Sequence, residues 1–399
     1  AQPYLTEANA AQWINTFNKS GNEAKAGILK MFGEKAIAAA LPLALQSVNS
    51  NDAGVRLSAI SAAAKIGQQE AIPALLAVLK KGDAANISAV KTALLSVKGD
   101  KLVSDVGEAL AGAPAAGKAA LIEILGERGA KGKAKEVLAL VNDSDPAIRQ
   151  SARTALKNMV SPAQLPQVTS LLLAAQTPKD ISDLQDLLVA SLKNIPNADQ
   201  QAAVVLAQEN KVPADKKSLF YNVLAGIGGH KGLTDVRNAY NGSNAKTQSA
   251  VIAALSNWKG GLATTQLHQI LQQAGTGAAT PEAVNGYIKQ ISIANNTADE
   301  KLIMLRNAMD FATSAAQKRE VMQQVAQCHT FPAFMYAGSF LDDPDLQRQA
   351  GSAVIDIALS NRTIIGDNVK LLLEKAMRVM GNGNESQYLK EAVQKHLTA

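Results

Sequence analysis

Residues 51–82 read NDAGVRLSAISAAAKIGQQEAIPALLAVLKKG. Two apolar stripes lie in this stretch, Ile60, Ala63, Ala64 and Ile66 in its first half and Ile72, Leu75, Leu76 and Leu79 in its second. Spacings of three and four put each set on one face of a helix. Asp52 is placed to cap the first helix, Gly67 falls at its end, and Pro73 occupies the opening turn of the second, where a missing N–H costs nothing. Gly82 closes the unit. A single hairpin of helices cannot cover two apolar stripes by itself, so it must stack on neighbours of the same kind.

The neighbours are written into the chain at a period of 31. Leu75 falls on Val106, Val137 and Val168, and Ala63 falls on Leu94, Leu125 and Leu156. Asp52 and Arg56 recur three periods on as Asp145 and Arg149, and Pro42, Pro73 and Pro166 keep the same register. After Leu173 about five residues are inserted, since Leu156-Lys157-Asn158 reappears as Leu192-Lys193-Asn194; Leu224 and Leu255 then continue the column. Trp258 shares a column with Ile227, which predicts an enlarged core residue.

Outside the regular units, residues 1–20 contain Trp13, Ile14 and Phe17 on a short helix starting near Thr6, expected to cap the first unit with Trp13 as its anchor. The first pair begins with a helix from Glu23 to Phe32 that Gly33 is expected to stop. The third and fourth pairs, roughly Asn86 to Leu110 and Ala115 to Val141, keep the apolar columns without the Asp and Arg. In the fifth, Ser144-Asp145-Pro146 is a cap followed by proline at the first helical position. Beyond Gly275 the pattern loosens through Gly277, Pro281 and Gly286, yet helices remain legible over Pro281 to Asn295, Ala298 to Thr313, Ala315 to Ala326, Phe331 to Leu341, Pro344 to Ser360 and Asp367 to Met380. Gly381-Asn382-Gly383-Asn384 then reads as a break before a last capping helix, Glu385 to Leu397. The chain so divides into an N-terminal capping helix (1–20), regular repeats (21–275), and drifted repeats with a capping helix (276–399) continuous with them.

Composition agrees with a repeat array. Hydrophobic residues make up 47% of the 399, whereas aromatics are 4%, too few for a conventional globular core. Alanine supplies much of the apolar content, and it both favours helix and lets helix axes approach closely. No apolar run approaches the eighteen or more residues of a membrane span. The 40 Lys and Arg against 34 Asp and Glu are a mild excess, alternating in sign along most helices rather than gathered on one face. The one local cluster, Lys118, Arg128, Lys131, Lys133 and Lys135, is offset by Glu123 and Glu127 and reads as a solvated edge. A single cysteine, Cys328, allows no intrachain disulfide. The opening Ala-Gln-Pro leads us to expect a mature exported chain, periplasmic or extracellular, with a cytoplasmic one as the alternative.

A helix pair with D-x-x-x-R in its first helix, as at Asp52 to Arg56 and Asp145 to Arg149, and a proline-opened second helix such as Ala71-Ile72-Pro73-Ala74-Leu75-Leu76, resembles HEAT repeats. The short period and alanine content are similar to the bacterial type also found in phycobiliprotein lyases. The motif is good in two units and eroded elsewhere; in Asp343-Pro344-Asp345-Leu346-Gln347-Arg348 the arginine is displaced by one. The resemblance implies an all-α, right-handed α-α superhelix of about ten to eleven helix pairs, an armadillo-like solenoid with Asp52, Arg56, Asp145 and Arg149 forming ladders between units. It further implies kinship with the accessory repeat regions of large secreted bacterial proteins.

Chemistry is harder to find. His230, His268, His329 and His396 stand singly, with no paired Cys motif or His-x-His spacing, which argues against a metal site and against any cofactor. Cys328 and His329 are adjacent, so a helix would send them to different faces rather than pair them as nucleophile and base. Gly226-Ile227-Gly228-Gly229-His230-Lys231-Gly232 follows no strand and falls where an inter-helix turn is due. The carboxylate pairs Asp342-Asp343 and Asp183-Asp186 sit where capping and solvent explain them. Five aromatics fall between Phe311 and Phe340; helical spacing favours core filling, with Phe331, Phe334 and Tyr336 the candidates if a partner is met instead.

The reading that follows is a non-catalytic interaction scaffold for a protein, a glycan or an adjacent domain of the same polypeptide, held on the concave face lined by the second helices. One alternative is nucleic-acid binding in the manner of HEAT-type alkylpurine DNA glycosylases, suggested by the positive charge and opposed by the lack of a basic aromatic cluster. A second is a lyase-like enzyme, which rests on family analogy alone.

Overall fold

A computed structural model describes residues 4–81, 83–275, 280–381 and 384–398. Gly82, Gly277 and the Asn382-Gly383 break lie outside the described residues. Among the described residues the regular structure is all helical, and no helix is long and apolar enough to cross a membrane. The chain forms two compact units, residues 1–194 and 195–399.

Unit 1 opens with α1 (Ala10–Lys19) and continues as pairs: α2 (Asn22–Lys35) with α3 (Leu41–Ser47), α4 (Ala53–Gly67) with α5 (Ile72–Leu79), α6 (Ala84–Ser96) with α7 (Lys101–Ala109), α8 (Ala115–Glu127) with α9 (Ala134–Leu138), and α10 (Pro146–Met159) with α11 (Leu165–Ala174). It closes on α12 (Pro178–Ser191). Unit 2 opens on α13 (Ala198–Glu209), followed by α14 (Tyr221–Ile227) with α15 (His230–Asn238), α16 (Ala245–Ser256) with α17 (Thr264–Ala274), α18 (Pro281–Ile293) with α19 (Ala298–Phe311), α20 (Ala315–Ala326) with α21 (Phe331–Gly338), and α22 (Gln347–Ser360) with α23 (Asp367–Met380). The last helix is α24 (Asn384–Thr398). Within each unit the first helices of successive pairs pack side by side, α2 on α4 and α8 on α10 in unit 1, α16 on α18 and α20 on α22 in unit 2.

The 31-residue columns are the core. Leu75, Val106, Val137 and Val168 are each wholly buried, as are Ala63, Leu94, Leu125 and Leu156, and after the insertion Leu192, Leu224 and Leu255. Pro42, Pro73 and Pro166 lie in the first turn of α3, α5 and α11, each after a short 3-10 turn that swings the chain back from the preceding helix.

Several local readings need correction. Gly33 does not end α2, which runs on to Lys35 and closes with Ala36 in the left-handed region. Gly33 is there because α4 comes too close for anything larger: a Cβ on it would stand 2.9 Å from the Cα of Ala62. Gly126 meets Ala155 the same way, its missing Cβ 2.5 Å from that Cα, and Gly286 meets Ser256. Glycine in these first helices therefore marks backbone contact between successive pairs. Trp13 is only half buried; the N-terminal segment is anchored by Leu5, Ala10 and Phe17. The helix expected from Pro344 starts at Gln347, because Asp343 first forms a turn, accepting from the Asp345 N–H at 2.9 Å. The third pair has kept its aspartate: Asp83 caps α6 by accepting from Ala85 and Asn86 N–H, one period after Asp52.

Substituting Gly126 with alanine is accordingly expected to lower the stability of unit 1 by about 2 kcal/mol, since α8 or α10 must shift to admit one methyl, despite the roughly 1 kcal/mol gain in helix propensity. Gly132→Ala, in open space, should stay within about 0.5 kcal/mol of the parent. Urea melts of the two variants followed by circular dichroism provide the comparison.

Candidate interaction surface

The polar groups divide into those that tie pairs together and those left facing outward. The ties run one repeat at a time. Asp52 Oδ1 accepts from the Val55 N–H and so caps α4, while its Oδ2 accepts from Asn22 of the preceding pair at 3.1 Å. Arg56 donates from Nη1 to the carbonyls of Ser50 and Asn51, from Nε to Asn86 of the next pair at 2.9 Å, and lies 3.9 Å from Asp83. Asp145 caps α10 through the Ala147 and Ile148 N–H groups, and Arg149 donates to the carbonyls of Asp143 and Ser144 just before it. Each Asp and Arg thus fixes the entry to its own helix, and at Asp52 and Arg56 the neighbouring pair joins in.

Further ties, not visible as a motif, have the same one-repeat reach. Lys91 pairs with Glu123 at 2.9 Å and Lys157 with Asp186 at 2.8 Å. Arg128 donates to the carbonyls of Leu94, Leu95 and Val97, closing the C-terminal end of α6 from the next pair. Gln290 reaches back to the Trp258 carbonyl at 2.9 Å, and Asn361 to that of His329 at 3.0 Å. The most buried is Arg153 on α10, 5% exposed, which is ion-paired to Asp180 and to Asp183 on α12 and donates to the Val141 carbonyl, its Nε being left without a partner. Two of the five residues of the basic cluster around residues 118–135 are engaged, Arg128 on carbonyls of the preceding pair and Lys133 locally on Glu136 at 3.4 Å.

The glycine run at 226–232 is a turn, with Gly228 and Gly229 both at positive φ. The N-terminus of α15 that follows already holds a carboxylate: Asp199 accepts from the His230 and Lys231 N–H groups at 2.8 and 2.9 Å. Those N–H groups, Lys231 first, hold the Asp199 carboxyl below its ordinary range. Cys328 is buried and borders a cleft of about 220 Å³ with Lys301 and Gln324; burial pushes its thiol up, away from thiolate. His329 is exposed beside it, with φ at 51°. Among the described residues no group of three or more His, Cys, Asp or Glu side chains is arranged to hold a metal.

Among the exposed large apolar side chains, Ile303, Phe331, Met335 and Leu371 lie on second helices of unit 2. On α21, Phe334 is fully buried and belongs to the core, whereas Phe331 one turn before it is 49% exposed and Met335 39%. The rings of Phe331 and Phe334 stack with centroids 6.3 Å apart, so the exposed ring is propped on the buried one. Tyr336 is half buried, edge-on to Phe340 at 5.2 Å, and the guanidinium of Arg306 on α19 lies 5.5 Å over its ring. Burial, with Asp310 adding and Arg306 opposing, pushes the Tyr336 hydroxyl up to about 12, so it remains a neutral donor. One turn before Arg306, Ile303 is 60% exposed. A ring, a thioether, a branched aliphatic chain and an arginine held over tyrosine thus share adjoining faces of α19 and α21. This is the composition of the energetic centre of protein interfaces.

Against known proteins, residues 11–94 match the family model for HEAT repeats. No curated protein shows significant sequence similarity to the chain. Similar solved structures include importin beta, 12% identical with a TM-score of 0.40 over 94% of this chain and 64% of that one. Kap95p, from a study of its binding to RanGDP, is 11% identical with a TM-score of 0.41, covering 93% and 60%. A tubulin-recruiting microtubule polymerase with a TOG domain array is 11% identical with a TM-score of 0.34, covering 96% and 98%. The chain spans less than two thirds of the length of the first two. With the family match over its first pairs and stacked helix pairs throughout both units, this is a HEAT-like helical repeat protein.

Proposed function

We propose that the chain is a non-catalytic interaction scaffold that holds a protein partner, or an adjacent domain of its own polypeptide, on the second helices of unit 2. The observation that carries this reading is the surface formed by Ile303, Arg306, Phe331, Met335 and Tyr336, where large apolar groups stay in water beside the buried Phe334. Lone exposed apolar residues need no explanation, but several on adjoining helices beside a ring-stacked arginine do. The coarser statement, a HEAT-type repeat fold with polar side chains spent on inter-pair ties, supports a binding role over chemistry: the thiol is buried and the ready anion site at α15 is filled by Asp199.

Immobilised protein and a Phe331→Asp/Met335→Asp variant, exposed to extract from the source organism, test the proposal. The parent should retain a specific protein and the variant at least tenfold less of it, with both melting alike because neither side chain is core. Equal retention by the two would remove this face from the interaction.

A further inference from the structure

Glu209 is the last residue of α13, 4% exposed, and its Oε2 is buried with no hydrogen-bond partner. A carboxylate here is opposed three times over. It has lost its water, it sits at the negative end of a helix dipole, and Asp235 on the facing α15 repels it. The compensating charge is Lys217, on the 3-10 segment Ala214–Phe220. Tyr221, at the start of α14, feels both acids, and its hydroxyl is pushed up to about 12, chiefly by burial. Arg237 on α15 is engaged elsewhere, donating to Asn241 at 3.2 Å with its guanidinium over the Tyr240 ring. At the opposite end of the same helices His230 and Lys231 cover Asp199.

We propose that Glu209 is a proton-operated latch: uncharged, it lets the C-terminal end of α13 stay packed on α14 and α15, and ionised, it releases that end toward solvent. The apolar frame for such a latch is present, since Val205 one turn earlier, Tyr221, Leu233 and Val236 are all buried around it. Burial raises the Asp235 carboxyl as well, and Arg237 Nε is buried without a hydrogen-bond partner, but Glu209 is the acid at the helix end. Burial first and Asp235 second raise the Glu209 carboxyl from 4.5 to about 7. Because the folded value lies above the unfolded one, its stabilisation is complete below about pH 4.5 and is lost as the pH rises through about 7. Local closure therefore weakens across neutrality. His268 on α17 works in the opposite sense, its pKa lowered by burial, so the readout must be local to α13.

Hydrogen exchange on the full chain, corrected for the intrinsic effect of pH, gives that readout for peptides spanning residues 203–212. Protection in the parent should fall between pH 5 and pH 8.5 by about tenfold to a hundredfold. Glu209→Gln, isosteric with the neutral acid, should keep the same protection at both. Asp235→Asn removes the repulsion while leaving the carboxyl in place, so it brings the Glu209 value down toward the unfolded one and should make the fall smaller and complete at lower pH. Parent protection equal within threefold at the two pH values overturns the latch, as does a fall in Glu209→Gln or Asp235→Asn identical to that of the parent.

Discussion

Trp258→Ala is expected to destabilise unit 2 by about 3–5 kcal/mol, the largest loss available from one core side chain. The indole is wholly buried and lies in the connection between α16 and α17. It is packed against the preceding pair, with its Cη2 3.5 Å from where a Cβ on Gly232 would stand, and its Nε1–H donates to the Gly229 carbonyl at 3.2 Å. Its own carbonyl accepts from Gln290 of the following pair. One residue thus touches three consecutive pairs, and in an array where each pair is stabilised only by its neighbours such a contact cannot be replaced from elsewhere. Phe in its place keeps most of the ring and strands the Gly229 carbonyl, which should cost about 1–2 kcal/mol more than the lost area alone. In the alanine variant Trp13 is the remaining indole, so its fluorescence reports on unit 1 while circular dichroism follows the whole chain. The expected result is an early loss of helix with the Trp13 signal unmoved. A midpoint within 1 °C of the parent would mean that Trp258 is not a keystone of unit 2.

How far the sequence carried the fold follows from what it encodes by repetition. The columns at Leu75 and Ala63, the caps at Asp52 and Asp145 and the prolines at 42, 73 and 166 recur at a fixed interval, which an unrepeated sequence does not produce. Trp258 was legible for the same reason, as an oversized member of the column of Ile227. Gly33 and Gly126 were not, because a glycine that ends a helix and one that admits a neighbouring backbone look alike until the neighbour is placed. Trp13 misled through its size: an end helix has only one side covered, and Phe17 with Leu5 suffices to hold it. Asp83 was overlooked because the motif was sought as Asp with Arg, and Ile87 stands where the arginine would be. On the candidate surface, Phe331, Phe334 and Tyr336 could be singled out by composition, yet only burial separates the core Phe334 from the exposed Phe331 and the half-buried Tyr336. Ile303, Met335 and Arg306 carried no signal that sequence could isolate, since helical periodicity says which residues share a face and not whether a further pair covers it.

Arg153 is the other position where a large effect is expected, and it was hidden in the same manner. It occupies the column of Ile60, Lys91 and Ile122, in which isoleucine alternates with a basic residue and only Arg153 of the two basic residues is fully buried. The structure supplies its partners from α12 of the following repeat, Asp180 and, at 3.3 Å, Asp183, and from the end of the preceding pair, the carbonyl of Val141 at 3.1 Å. Arg153→Ala should cost unit 1 about 3 kcal/mol, from a buried carbonyl left without a donor and from Asp180 and Asp183 losing the buried cation between them, although Lys179 stays 3.0 Å from Asp183. The cause can be separated from lost volume. Arg153→Met combined with Asp180→Asn and Asp183→Asn refills the space and removes the stranded charges, and should recover most of the loss, because well-packed apolar groups often match a buried ion pair in stability. Acid gives a second check. The Asp180 carboxyl is held below its ordinary 3.8, first by the Thr177 hydroxyl and then by Arg153. Its contribution is therefore present above about pH 3.8 and disappears as the pH falls through the depressed folded value, so the gap between parent and Arg153→Ala should narrow below pH 4. A gap that stays constant from pH 7 to pH 3 would assign the whole effect to packing and leave the α10–α12 ion pair without a part in joining these repeats.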